Sequence, residues 1–346
     1  MLWYIYPLWH RVSFTIIAEK HVEQLRKYFR LYVIDEKVFP NIYPQTNPLV
    51  VLHPFFYMMM RASNRVEYLL AKVKGIIGID VADSDRISNL AVSMTHYAEA
   101  MIVPSKWARD AYIRSGCKTP VHVVWHGLDK EWYTAKPEIV SFGDLAELKK
   151  RKRLIYLTYF LWHSDWRKGA DLVIKTYRKL RVERRDVVLV CKFMTKTGEL
   201  HREVRRLGGI IVAGWLTEQQ LRELLDISDI YLLFSRGGGF EINGLEAIAR
   251  GVPVVAARGG AWEEYLPDFC LVDSKPSPYV LKDNPIHCGR GVEIIVEKVV
   301  DKILDIIDNL DDYRARVREH VQKNIKNKFT WEVVGRRLAN IIRKYF

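Results

Sequence analysis

The sequence predicts an α/β fold: two Rossmann-like βα domains in succession, facing across a cleft. Three observations predict it. Short apolar runs alternate with longer stretches of helical periodicity, the rhythm of strand–helix units on a parallel sheet. That rhythm breaks once, between Asp129 and Arg153, and then restarts. The chain has 346 residues, which suits two domains at about 100–200 residues each.

In the first half the strand candidates are WYIYP, RLYVIDE, PLVVLHP, GIIGIDVA, EAMIVPS and VHVVWHG. Helices fit between them at TIIAEKHVEQLRKY, around NRVEYLLAKV, at SDRISNLAVSMTHY and at KWARDAYIRSG. The last of these ends on Gly116, a residue suited to a helix C-terminus because it enters the left-handed region without a Cβ penalty. The interruption holds Pro137, Gly143 and a basic run from Lys149 to Arg153, and reads as an inter-domain linker. Beyond it come strands RLIYLTYF, DVVLVCKF, GIIVAGWL, IYLLFS and VPVVAA, with helices GADLVIKTYRKL, GELHREVRRLG, TEQQLRELLDIS and NGLEAIARG between them. From Val292 to Phe346 the pattern is helical throughout. Ligands in such sheets sit at the carboxyl ends of strands, where backbone N–H groups and helix N-termini converge.

Composition narrows the class. Hydrophobic residues make up 49% and charged residues 27%, which excludes a disordered chain. No apolar run approaches the ~20 residues a membrane-spanning helix needs. The opening MLWYIYPLWHR lacks the basic start and small-residue cleavage site of a secretory signal, so a cytoplasmic protein is expected, at most peripheral on the inner membrane face. Cys117, Cys191, Cys270 and Cys288 show no zinc or redox spacing and the histidines no metal-binding pair, so neither metal nor cofactor is expected. The net charge of +13 suits a phosphorylated substrate, an anionic membrane surface or nucleic acid. The last is disfavoured, since no zinc-finger, RNA-recognition or basic-zipper signature is present.

The stretch FSRGGGFEINGLEAIARGVPVVAARGG, from Phe234 to Gly260, carries the most chemistry. A buried strand ends at Ser235, three glycines follow (Gly237, Gly238, Gly239), and a helix begins near Asn243. Glycines at a strand-to-helix turn let backbone N–H groups approach a phosphate, and the helix N-terminus adds a favourable partial charge. Glu246 falls in the first turn, where its carboxylate either accepts sugar hydroxyls or only complements the helix dipole.

This segment resembles the donor-site signature of retaining GT-B glycosyltransferases of family four, the "glycosyl transferases group 1", usually E-G-F-G-x-x-x-x-E-A-x-A-x-G-x-P-V-V. Glu246, Ala247, Ala249, Gly251, Pro253, Val254 and Val255 match in register. The resemblance implies that Glu246 holds the ribose hydroxyls of a nucleotide sugar. The family's first Glu, a hexose ligand, is replaced by Gly238, and Glu241 three residues on is the candidate substitute. In WRKGADLVIKTY, Lys168 matches the family's diphosphate-binding lysine, offsetting charge on the departing nucleotide. The arginine that often follows the preceding strand is missing from YFLWHS, so Arg167 or Arg236 would substitute. By the same resemblance Gly214, Trp215 and Leu216 border the nucleotide base. The final helix in FTWEVVGRRLANII would cross back onto the N-terminal domain. The implied division is an acceptor-side domain over 1–140, a donor domain over 141–328 and a returning helix over 329–346.

The N-terminal half departs further from the family. Its first loop, PLWHRVSF, has no glycine, and His10 and Arg11 would supply donors there instead. Asp80 stands where relatives place a sugar-binding histidine; with Asp83 and Asp85 it would alternatively cap the next helix, through Ser84 or Asp83. Aromatic and Met residues crowd Trp3–Trp9 and Phe55–Met60, either as core or as an apolar face toward a lipid-linked acceptor. The expected function is therefore transfer of a hexose from a nucleotide-diphosphate sugar to a glycan, lipid-linked or protein hydroxyl, without a metal. Its rivals are a sugar-nucleotide epimerase on the same frame and a basic nucleic-acid-binding protein.

Overall fold

The computed structural model describes residues 1–10, 12–41, 44–62, 66–194 and 198–346. The chain divides into two compact units. One comprises Met1–Leu128, Leu281–Gly289 and Lys328–Phe346, the other Asp129–Val280 and Arg290–Asn327.

The first unit is built on six strands: β1 (Leu2–Tyr6), β2 (Leu31–Asp35), β3 (Leu49–Leu52), β4 (Gly75–Ile79), β5 (Ala100–Val103) and β6 (Val121–Val123). They lie in the order β2-β1-β3-β4-β5-β6, and every pair is parallel. Strands β3, β4 and β5 are buried along their whole length, which is why each reads as an unbroken apolar run. The helix Lys106–Arg114 starts at Ser105, whose hydroxyl accepts from the Ala108 amide, and Gly116 follows its end at φ +88°, as the sequence predicts. The helix after β4 differs from expectation. It begins at Asn89, and Ser88 caps it by accepting from Ala91; neither Asp83 nor Ser84 does so.

The second unit carries β7 (Ile155–Leu161), β8 (Val187–Phe193), β9 (Ile210–Ala213), β10 (Ile230–Leu233), β11 (Val254–Ala257) and β12 (Leu271–Val272). Their order is β12-β11-β10-β7-β8-β9, again parallel. Connections run outward in both directions from β7, so the order reverses between β7 and β10, the place where open α/β sheets bind ligands. Two stretches depart from the sequence reading. The presumed linker holds the helices Glu131–Thr134 and Gly143–Lys152, and its basic run forms the last turn of the second, where cations complement the helix dipole. Val292 lies in β14 (Gly291–Ile294), which forms an antiparallel hairpin with β13 (Ser274–Ser277), before the helices begin at Val296.

The aromatic-rich N-terminal segments are mostly core. Tyr4, Tyr6, Phe55, Phe56, Met58 and Met59 are buried, whereas Trp9, Tyr57 and Met60 are exposed. Among the described residues no helix is long and apolar enough to cross a membrane.

Candidate functional site

The loops after β7 and β10 flank the reversal point, and they bring the two sequence motifs together. The backbone N–H of Arg236 donates to the Arg167 carbonyl at 2.7 Å. Gly169, at φ +72°, packs so closely that a Cβ there would stand 2.1 Å from the Phe234 carbonyl oxygen. A glycine is therefore required between Lys168 and the helix Ala170–Glu183 for both reasons, backbone conformation and space.

Arg236 fastens this junction from below and is only 1% exposed. Its guanidinium binds Asp171 through both Nη atoms at 2.7 and 2.9 Å, Glu293 through Nε at 2.8 Å and the Trp166 carbonyl at 2.6 Å. It also stacks 3.5 Å from the Trp166 ring centre. With its donors so occupied, Arg236 positions the loop, and Arg167 is the arginine of the pair that faces the carboxylate of Glu241.

Glu241 sits at the N-terminus of the helix Ile242–Ala249 in the left-handed conformation, φ 61° and ψ 65°. Its carbonyl accepts from the Tyr265 hydroxyl at 2.6 Å, which holds that turn. Its carboxylate pairs with the Lys168 ammonium through one oxygen and with Arg167 Nη1 at 3.3 Å through the other. Arg167 reaches the Gly237 carbonyl at 3.4 Å as well. All three glycines are buried, and at Gly238 the cause is space: a Cβ there would lie 2.1 Å from Oε1 of Glu241. The carboxylate thus occupies the very volume from which a side chain at 238 would start.

Glu246 lies on the same helix but beyond the first turn that the sequence predicts for it, because the helix begins at Ile242; it is 8% exposed and accepts from Asn243 Nδ2 at 2.7 Å. Burial pushes its carboxyl up to about 7, against the lowering effect of that hydrogen bond. Lys192, at the end of β8, acts on it through space. Sequence reasoning passed over Lys192, although it is the one charge in an otherwise apolar buried strand. Trp215, half exposed, follows Gly214 (φ +101°) beyond β9 and meets Trp162 edge to face at 5.0 Å; Leu216 beside it is partly buried.

Asp80 belongs to the first unit. Its two oxygens accept from the Phe56 amide at 2.7 Å and the Val81 amide at 2.8 Å, so it serves the start of the helix Phe55–Ala62. Burial pushes its carboxyl up to about 7 despite those bonds. His10 is exposed, and Arg11 lies outside the described residues. Among the described residues no group of three or more His, Cys, Asp or Glu is placed to hold a metal ion.

The second unit therefore presents two cations, a carboxylate shared between them at a helix N-terminus and a second, protonatable carboxyl further along the same helix. Such a set can meet a diphosphate and polyol hydroxyls. Residues 151–277 match the family of glycosyl transferases group 1. Uncharacterized protein 356 of Sulfolobus islandicus rod-shaped virus 1 is 35% identical, over 99% of this chain and 98% of that protein. A GDP-mannose-dependent monoacylated alpha-(1-6)-phosphatidylinositol monomannoside mannosyltransferase of Corynebacterium glutamicum is 29% identical, over 51% of this chain and 44% of its own length. Among solved structures, a glycosyltransferase from Rickettsia africae shares the fold with a TM-score of 0.65 at 12% identity, over 99% of this chain and 98% of that one. The chain belongs to one family with protein 356 of that virus, and it is a glycosyltransferase of the GT-B type.

Proposed function

We propose that the chain is a retaining family-four hexosyltransferase, taking its sugar from a nucleotide-diphosphate donor. The observation that carries this reading is the meeting of Lys168, Arg167 and Glu241 at the turn that starts the helix bearing Glu246. In this reading Lys168 and Arg167 hold the donor diphosphate, together with amides of the Gly237–Gly239 loop. Glu246 accepts the ribose hydroxyls and Glu241 accepts a hydroxyl of the hexose. The bond between the anomeric carbon and the phosphate oxygen breaks. The acceptor oxygen bonds to that carbon from the same face, and its proton passes to the departing diphosphate. The two cations stabilise the charge that builds on the leaving group, so the reaction needs no metal.

The acceptor in this reading is a hydroxyl of a glycan, protein or lipid-linked molecule. Two observations favour the lipid-linked class. The corynebacterial relative is named for an acylated phosphatidylinositol mannoside. The first unit also has a groove of about 430 Å³ in which Arg336, Arg337 and Lys344 rim the apolar Val123, Val333 and Ile341. Such a surface suits peripheral contact with an anionic leaflet on the cytoplasmic side.

The test is a panel of nucleotide sugars scored by thermal stabilisation, since a ligand bound only to the folded state raises the unfolding temperature. The expected result is stabilisation by one donor, followed by nucleoside-diphosphate release when an acceptor is added. No stabilisation by any member would overturn the proposal.

A further inference from the structure

Three histidines that the donor chemistry does not use meet inside the first unit. His21 of the helix Ser13–Leu25 and His53, just after β3, are each 2% exposed, and their rings stack with centres 5.6 Å apart. The Tyr4 hydroxyl of β1 lies between them, 3.0 Å from Nδ1 of His21 and 2.9 Å from Nδ1 of His53. A phenol has a single proton, so it donates to one ring and accepts from the other. That arrangement is complete only while both rings are neutral. With a proton on both Nδ1 atoms, each ring would donate to the Tyr4 oxygen and the phenol proton would have no acceptor between them. Among the described residues Nε2 of His21 has no hydrogen-bond partner, so a proton added there is a buried charge with nothing to receive it.

The C-terminal helix, Trp331–Arg343, covers the cluster. Its buried Trp331 meets His21 edge to face at 6.0 Å and lies tilted 6.4 Å from His126, which follows β6 and has its Nδ1 edge enclosed. One turn on, Gly335 packs so tightly on the first helix that a Cβ there would stand 2.3 Å from that of Gln24. Burial pushes the imidazoles of His21 and His126 from 6.5 down to about 3, and His126 adds to the effect on His21. Burial also holds His53 well below its ordinary value, with His21 and His126 acting in the same direction. The surrounding elements offer no counter-charge. On the first helix Glu19 and Glu23 are exposed and Lys20 is partly so, and Glu332 on the last helix is exposed. Asp80, at the end of β4, is bonded to two backbone amides, and Lys328 lies over the Trp125 ring at 4.3 Å. From β1 the titratable groups are Tyr4 and Tyr6. No carboxylate is among the groups that act on the three rings.

We propose that this cluster is an acid-sensitive latch on the C-terminal helix: protonation of His21 and His126 releases the helix Trp331–Arg343 from the first unit, and return to neutral pH closes it again. Each ring is neutral in the latched form and regains an ordinary affinity for protons once uncovered. The latch therefore loses stability as pH falls from about 6.5 towards 3. At about pH 5 a single ring uncovered by Trp331 favours the released form about thirtyfold. The carboxyls of Asp80 and Glu246, which burial raises, respond to pH in the opposite sense, so the readout has to be local to the helix.

Hydrogen exchange of the full chain at about pH 7.5 and about pH 5, expressed as protection relative to an open chain, tests this. Protection of the amides of the helix Trp331–Arg343 should fall at least tenfold at the lower pH and recover when the pH is restored. His21→Gln keeps a hydrogen-bonding partner for Tyr4 but does not titrate, and it should shrink that fall at least threefold. Ring NMR of the wild type needs no variant: at least three of the ten histidines should stay neutral at about pH 5. A wild-type fall of less than tenfold would overturn the proposal. So would a fall that His21→Gln shrinks less than threefold, or fewer than three neutral rings at the lower pH.

Discussion

Glu241→Gln separates a hexose ligand from a mere helix-end charge, and the structure gives its effect a sign. Glu241 is the counter-ion of both Lys168 and Arg167, with its side chain 4% exposed against 18% and 10% for theirs. At the 3.3 Å separation of the Arg167 pair, the gross attraction is about 5 kcal/mol at an effective dielectric of about 20. Desolvation offsets much of that, leaving about 1.5–3 kcal/mol for a charge-assisted hydrogen bond. Glutamine keeps the shape and one acceptor but none of the charge, so the free protein should lose about 3 kcal/mol. For a unit of this size that is a drop of about 6–12 °C in unfolding temperature. Nucleoside-diphosphate affinity should move the other way. The diphosphate no longer competes with an internal carboxylate for the same two cations, and a gain of about tenfold corresponds to roughly 1.4 kcal/mol. Turnover should still fall at least tenfold, because the hexose has lost its acceptor. The assay is calorimetric titration of the nucleotide beside nucleoside-diphosphate release from the donor sugar. Weaker nucleotide binding by Glu241→Gln, or normal turnover by a folded variant, would refute the assignment.

Four further outcomes follow from the same geometry. Gly238→Ala should reproduce the turnover loss of Glu241→Gln, since its Cβ would stand 2.1 Å from the carboxylate and displace it; kinetics near wild type would count against the packing described. Glu246 has its carboxyl raised from 4.5 to about 7, so the native state holds a proton that the unfolded chain releases; stability should fall as pH rises from about 4.5 to 7 and level off above. Glu246→Gln should remove roughly 3 kcal/mol of that slope in urea unfolding and weaken nucleotide binding; an unchanged slope would refute it. Asp80→Ala should cost about 2–3 kcal/mol by orphaning the Phe56 and Val81 amides, and Asp80→Asn about 1–2 kcal/mol, since its one oxygen can serve only one of the two donors; a turnover loss in Asp80→Asn well beyond that stability cost would instead mark a sugar ligand. Activity should survive EDTA, and complete loss restored by magnesium or manganese would contradict the cation-only mechanism.

The sheets were legible because parallel strands buried on both faces leave unbroken apolar runs, as in VVLVCKF. The helix starts near Lys168 and Glu246 were legible from that pattern to within about a residue, but Glu246 falls beyond the first turn because its helix begins at Ile242. Elements lacking a buried face escaped. The helix GDLAELKKRK has no buried residue and so no amphipathic stripe to betray it. The hairpin strand SKPS is short, polar and interrupted by proline, which argues against a strand in any sequence reading. Side-chain partnerships distant in sequence were equally hidden. Arg236 reads in the sequence as a substitute for the missing donor-site arginine, yet its partners Asp171 and Glu293 lie 65 and 57 positions away.

In the proposed reading, Glu241 supplies from three residues onward the acid that the family's pattern places at 238. A glutamate at 238 would need its Cβ where the Glu241 carboxylate now lies, so the two acids exclude one another in this packing. The reach from 241 back over 238 depends on the left-handed turn at Glu241, a conformation unfavourable for a residue with a Cβ. Three contacts hold that turn in place. Tyr265 fixes the carbonyl, and Lys168 and Arg167 fix the carboxylate. Gly244, one turn along the helix, leaves room for the Tyr265 hydroxyl, which a Cβ there would approach to 2.6 Å. In the proposed reading the glycine at 238 and the acid at 241 are therefore linked, because the glycine leaves the space that the Glu241 carboxylate fills.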